Sequence, residues 1–211
     1  MPDVATLGVF LTAAFILSIT PGPGILYTLA RTLHGGKAAG MASVMGLFIG
    51  GLFHVIAAAV GVSSLLMTSA IAFTVVKYAG AAYLIYLGLR TLLGKDAAPH
   101  STVNALTPRR HINVFSQGVL TEVLNPKTAL FFLAFIPQFI HVANGNIFTQ
   151  FLVLGLLTAL LNLAIDLTVV TFAGPLGQRL RTSYRFRQGQ RLASGFTLIG
   201  LGTYVAVAEP T

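Results

Sequence analysis

The sequence predicts an all-α polytopic membrane protein: six transmembrane helices in two inverted three-helix halves, the first helix of each half broken. Three observations predict it: charge is scarce, apolar runs recur at spanning length, and basic residues alternate between loops. Charged residues are 9% of the 211-residue chain, and hydrophobic residues are 55%. Soluble domains carry roughly 25% charge. With a mean hydropathy of +0.82, a chain of this size has too few polar groups to cover its own surface, and lipid takes that role. There is no cysteine, which excludes disulfides, thiolate metal sites and thiol redox chemistry.

A span needs about 20 mostly apolar residues, and the chain offers runs at 5–30, 40–67, 70–92, 113–140, 147–174 and 191–208. The first follows "MPDVATLGVF", which has an acid at Asp3 and no basic residue ahead of the apolar run. A secretory signal wants a basic n-region, so this segment reads as a retained membrane helix. The second and third are separated by a tight turn at Met67-Thr68-Ser69. The fifth is the longest, and the sixth is barely long enough. Residues 93–112 form the one long polar linker. It is expected to be cytoplasmic and divides a single membrane domain, 1–211, into halves 1–92 and 113–208. An odd number of spans per half turns the second half upside down relative to the first, the inverted-repeat plan of secondary transporters.

The basic residues set the orientation. The loop after the first span holds Arg31 and Lys37. The loop after the third holds Arg90, Lys95, Arg109 and Arg110. The loop after the fifth holds Arg179, Arg181, Arg185, Arg187 and Arg191. These are 11 of the 13 Lys and Arg residues. The positive-inside rule places these odd loops in the cytoplasm and both termini outside. The net charge of +8 therefore belongs to orientation and anionic headgroups. Nucleic acid is excluded as a partner, because no basic soluble module remains to bind it.

The first span is interrupted by Thr20-Pro21-Gly22-Pro23-Gly24, and the fourth by Asn125-Pro126-Lys127. Thr and Asn are good helix N-caps, and proline is preferred at the first helical position. Each break thus reads as one half-helix ending and another beginning. Thr20 lies about ten residues from Arg31 and Asn125 about a dozen from Ile112, which at about 1.5 Å per residue puts both near mid-membrane. Irregular backbone is tolerated there only when buried in protein or lining a watery cavity. Half-helix N-termini present free N–H groups and a positive dipole end, which suit a carboxylate. A proline kink serving packing alone is the plainer reading of either break, and matched breaks in both halves favour a binding site.

Ionisable residues inside a span usually face a cavity or a partner. Glu122, three residues before Asn125, suits a substrate amine, a coupling proton or an ion pair with Lys127. Asp166 and Asn162 are one helical turn apart on one stripe of an apolar helix, a pair suited to an ammonium group or a proton. Lys127 suits a carboxylate or Glu122. His54 titrates near neutral pH and reads equally as a hydrogen-bonded packing residue. Lys77 is close enough to its span end to snorkel, and Tyr78, Tyr83 and Tyr86 read as interfacial or packing aromatics. Gly46-x3-Gly50 and Ala57-Ala58-Ala59-x-Gly61 allow close helix contact, within the chain or in a homodimer.

"TPGPG", "GLFIGGLFHVIAAAVG", "FTVVKYAGAAYLIYLGLR" and "NPKTALFFLAFIPQF", in this order, resemble the lysine exporter/homoserine–threonine resistance (LysE/RhtB) family of bacterial amino-acid exporters. The resemblance covers essentially the whole chain. It implies a membrane transport domain in the bacterial inner membrane, efflux of amino acids or close derivatives, and drive by the proton gradient. Relatives resembling the basic-amino-acid exporters carry an acid where this chain has Gly51, so a small neutral substrate is expected. The expected site is Thr20, Pro21, Gly22, Pro23, Gly24, Asn125, Pro126, Lys127 and Asn162 for substrate. Glu122, Asp166 and His54 are expected for the amine or the proton, with no metal and no cofactor. Export of an inorganic cation or another small metabolite is the alternative, although two carboxylates make a poor oxygen-ligand set. A membrane-embedded enzyme is a weaker one, since neither HExxH nor GxSxG occurs.

Overall fold

The computed structural model describes residues 3–93, 111–141, 145–182 and 184–208, with backbone alone at 62–68, 70 and 174–187. Every described secondary-structure element is helical. Helix α1 spans Val4–Ile19. Asp3 caps it, its carboxylate accepting from the Thr6 N–H at 2.9 Å and the Thr6 hydroxyl at 3.0 Å. The backbone bond from Thr6 holds this carboxyl below the ordinary carboxylate range. Helix α2 spans Pro23–Thr68, α3 Ala70–Leu93, α4 His111–Val123 and α5 Pro126–Leu130. A π-helical turn, Phe131–Phe135, and a 3₁₀ turn, Ile136–Phe139, continue α5. Helices α6 and α7 span Ile147–Thr182 and Tyr184–Val207.

Three helical stretches are long and apolar enough to cross a membrane: Pro23–Gly61, Ile71–Leu93 and Ile147–Ala173. The pair His111–Val123 and Pro126–Phe139, bent by 42°, makes a fourth. Helix α1 is apolar but shorter. The expected span 5–30 is thus two pieces, α1 and the opening of α2. The expected loop between the first and second spans is helical apart from Gly36, whose φ of 74° suits glycine. Thr32 and Gly40, eight residues apart, are in contact. A straight helix would separate them by about 12 Å along its axis, so the chain bends sharply at Gly36. Of the expected linker, Leu93 still belongs to α3 and α4 already begins at His111; residues 94–110 lie outside the described residues. The expected fifth loop is largely helical, since α6 runs to Thr182 and α7 starts at Tyr184. The side chains of Arg179, Arg181, Arg185 and Arg187 lie outside the described set.

Helix α2 packs on α4 and α6, α3 packs on α7, and α1 packs on α6. Without a strong hydrophobic drive between helices in lipid, close backbone approach through small residues does much of this work. A Cβ at Gly46 would strike the Phe115 carbonyl, and one at Gly118 would lie 2.8 Å from the Ser43 carbonyl. A Cβ at Gly50 would lie 2.7 Å from Glu122 Cβ. The Gly46-x3-Gly50 stripe is therefore an internal α2–α4 seam, and Gly46→Leu would force it apart. Beyond the second break, Phe131, Phe135 and Phe139 form an aromatic stack with Phe10 of α1 and Tyr204 of α7, ring centroids 4.7–6.3 Å apart. The π turn serves this stack. Pro137 has no N–H to continue the α ladder, and the Ile136 N–H bonds five residues back to the Phe131 carbonyl.

Lys77 does not snorkel outward. It is buried, donates to the Ala208 carbonyl at the end of α7, and lies 5.4 Å from the centre of the Tyr78 ring. Tyr78, Tyr83 and Tyr86 are exposed on α3, where lipid would meet them.

Candidate substrate site

The two breaks meet at one small cavity. Its walls come from α1, the start of α2, the α4–α5 break and the middle of α6. The second break forms as the sequence predicts. Asn125 is extended (φ −76°, ψ 106°), its side-chain oxygen accepts from the Lys127 N–H at 3.1 Å, and Pro126 opens α5. The first break departs from the expectation that Thr20 is an N-cap. Thr20 closes α1 instead: its N–H returns to the Ile16 and Leu17 carbonyls, and its φ and ψ are −69° and 118°. Proline disfavours helical backbone at the residue before it. Pro21 therefore holds Thr20 extended, and Pro21 and Gly22 stay outside the helix. The helix restarts at Pro23, with the Gly22 carbonyl accepting from Leu26.

Glu122 is buried and both its oxygens are engaged. Thr128 Oγ1 donates at 2.6 Å and Asn125 Nδ2 at 3.0 Å. The Lys127 ammonium donates to the carbonyls of Leu17 and Thr20, both at 3.0 Å, at the carbonyl end of α1. A cation there complements the helix dipole. Lys127 and Glu122 thus hydrogen-bond different partners, while their charges remain close enough to attract. His54 stands behind the second break. Its Nε2 lies 2.9 Å from the Glu122 carbonyl, and its ring stacks on Phe132 at 5.9 Å.

Asp166 and Asn162 line the cavity from α6. Among the described residues neither side chain has a hydrogen-bond partner, although Asp166 is 92% buried, with 8% of its surface exposed. Apolar side chains, including Ile25, Leu47, Phe48 and Phe132, complete the wall. The cavity volume is about 40 Å³, room for a few waters and well below the roughly 300–1,000 Å³ of open ligand pockets. The cavity is too small for an amino acid in this conformation.

Of the residues singled out from sequence, Gly24, Glu122, Asn125, Lys127, Asn162 and Asp166 line the cavity. Thr20, Pro21, Gly22, Pro23 and Pro126 shape the breaks without lining it, and His54 braces from behind. Sequence reasoning missed Ser18, Thr128 and Thr158, which also line it. It also missed Ser194 and Thr197 of α7, which hold the first break: Ser194 Oγ donates to the Pro21 carbonyl at 3.0 Å, and Thr197 Oγ1 is 3.3 Å from Thr20 Oγ1. Thr128, three residues after Asn125, was the findable one. Gly51 lines the cavity too, and a side chain there would meet open space. Among the described residues, no group of three or more His, Asp or Glu side chains gathers as a metal site would need.

Helices of spanning length around a small cavity lined by charged residues, set where two helices break, are the build of a membrane transport protein. The chain belongs to the LysE type translocator family, whose family model matches residues 15–209. It is similar to a homoserine/homoserine lactone efflux protein of Salmonella typhimurium, 32% identical over 171 residues, covering 81% of this chain and 80% of the relative. It is also similar to the uncharacterized membrane protein YrhP of Bacillus subtilis, 33% identical over 92% of this chain and 94% of the relative. A third relative, the uncharacterized membrane protein PA4757 of Pseudomonas aeruginosa, is 33% identical over 96% and 98%. No solved structure matches the chain.

Proposed function

We propose that this protein is a secondary transporter of the bacterial inner membrane. It exports small neutral amino acids or close derivatives, in the homoserine–threonine–leucine range, in exchange for protons. One observation carries the reading: the Asp166 carboxylate and Asn162 amide, one turn apart, line the cavity with no hydrogen-bond partner among the described residues, and the Lys127 charge acts on Asp166 from across it. An ammonium group is the natural complement of that pair. The remaining N–H of Lys127, whose ammonium has three donors, serves the substrate carboxylate. The apolar wall takes an uncharged side chain, and the family relative named for homoserine efflux supports the class.

The transport cycle follows from the small cavity. An amino acid needs more room than is present, so the halves must move to admit it. Support for inverted halves 1–92 and 113–208 comes from reciprocal packing. Helix α2 meets α6 and α3 meets α7, and the α2–α4 contact has its counterpart in α1–α6. With the basic loops inside, both termini are periplasmic.

The test is transport in proteoliposomes under an imposed pH gradient, offered labelled leucine, threonine, homoserine, cysteine, lysine and glutamate. A neutral amino acid should accumulate, and accumulation should collapse with the gradient. Asp166→Asn should lower it at least about ten-fold, the equivalent of about 1.4 kcal/mol. If Asp166→Asn transports at the wild-type rate at every pH, Asp166 has no coupling role. If no amino acid moves with the gradient, the substrate reading falls, and cations or other metabolites take its place.

A further inference from the structure

Tyr27 and Arg31 lie one and two turns beyond Gly24 on the first segment of α2, away from the cavity and toward Gly36. Helix α4 faces them. The Tyr27 hydroxyl donates to the Val114 carbonyl at 2.7 Å, and the Arg31 guanidinium donates to Gln117 Oε1. The same guanidinium lies 5.2 Å from the centre of the Tyr27 ring. Arg31 is 94% buried, with 6% of its surface exposed, and its Nε finds no acceptor. Along the helix axes, Arg31 is about 10 Å from Gly24 and Gln117 about 7 Å from Glu122. These four residues therefore form a layer over the cavity on the side of Gly36 and His111.

The layer joins an anchored helix to a hinged one. Helix α4 is locked to the body of α2 by backbone contact at Gly46 and Gly118. The segment from Pro23 to Gly35 instead has non-helical backbone at each end, the Thr20–Gly22 stretch and Gly36. Its polar fastening is also a cheap one to undo. A buried cation whose acceptor is a neutral amide is under-satisfied, and opening returns it to water. On the α5 side the cavity is lined by Phe131 of the aromatic stack, and that stack holds no charged group.

We propose that Arg31–Gln117, with Tyr27–Val114, is the gate between the cavity and the cytoplasm, opened when the Pro23–Gly35 segment swings away from α4. The assignment to the cytoplasmic face rests on the efflux reading above; the gate itself rests on the geometry.

The chain has no cysteine, so a single Ala159→Cys, on the cavity wall, reports access. Its labelling by a membrane-impermeant thiol reagent is followed in right-side-out and inside-out vesicles. Gln117→Ala and Arg31→Gln should speed labelling about ten-fold from the cytoplasmic face alone, equivalent to about 1.4 kcal/mol in the closed–open equilibrium. Gln117→Glu, which gives Arg31 a charged acceptor, should slow labelling below the parent, an outcome that misfolding cannot imitate. Unchanged rates in all three, or faster labelling from both faces, would overturn the gate. Faster labelling from the periplasmic face alone would keep the gate in the fold but overturn its cytoplasmic assignment, and with it the efflux orientation.

Discussion

The two helix breaks carry the same signal, a polar residue before a proline, and they are held by different means. The second is largely self-contained. Asn125 caps α5 and donates to Glu122, and Thr128 takes the other carboxylate oxygen, so apart from His54 at the Glu122 carbonyl its hydrogen bonds close within seven residues. The first has three non-helical residues and little of its own to satisfy them. It borrows Lys127 from α5 and Ser194 and Thr197 from α7. Two prolines two residues apart delay the helix restart, and the delay leaves carbonyls that only distant side chains can reach. A break with one proline can finish itself, whereas a break with two needs the rest of the fold.

The largest effect should come from removing the link between the breaks. Lys127→Met leaves the Thr20 carbonyl without its side-chain donor, and an orphaned buried acceptor costs about 1–3 kcal/mol; the Leu17 carbonyl loses one of two donors and keeps the Thr20 N–H. Transport in proteoliposomes should be lost, and thermal unfolding in detergent should fall by more than for any other single change at either break. Arginine should not rescue it. The side-chain position of Gly22 lies only 3.3 Å from Lys127 Cε and Nζ, so the site is fitted to a lysine stem.

Asn125→Ala should come next. It removes an N-cap worth about 0.5–2 kcal/mol and frees one oxygen of Glu122. The unfolding temperature should drop less than for Lys127→Met. Asn125→Asp should recover the cap but not transport, because it sets a second carboxylate against Glu122 in place of a donor. Equal loss of stability in Lys127→Met and Asn125→Ala would show that the two breaks are not held differently.

The same contrast explains what the sequence disclosed. Asn125-Pro126 was legible because its cap is local: the acceptor and its N–H are two residues apart. Thr20 was misread because its cap partners are set by the second proline, which leaves Thr20 to close the helix behind it. The Lys127 anchor spans 107 residues and the Ser194 anchor 173, and no local pattern encodes such a pairing. Asp166 with Asn162 was legible because lipid makes a polar stripe on an apolar helix point inward. Arg31 was read as a loop charge because nothing nearby in sequence shows that Gln117 will cover it. The Gly36 bend hid for the opposite reason, since one glycine does the work for which a whole loop was expected.

Ser194→Ala should have the smallest effect, and its pattern of additivity sharpens the comparison most. It deletes one hydroxyl–carbonyl bond at Pro21, worth about 0.5–1.5 kcal/mol, and leaves a methyl that the small site accommodates. Alone it should move the unfolding temperature slightly. Combined with Asn125→Ala its effect should add, since that residue serves the second break and shares no partner with Ser194. Combined with Lys127→Met it should fall short of additive. Lys127 and Ser194 hold the same three-residue stretch, and once the ammonium is gone the stretch is already loose when the hydroxyl is removed. Double-mutant cycles resolve such coupling at about 0.5 kcal/mol. Coupling of Ser194 with Asn125 as large as with Lys127 would mean that α7 steadies both breaks together, and the two would then have to be treated as one unit.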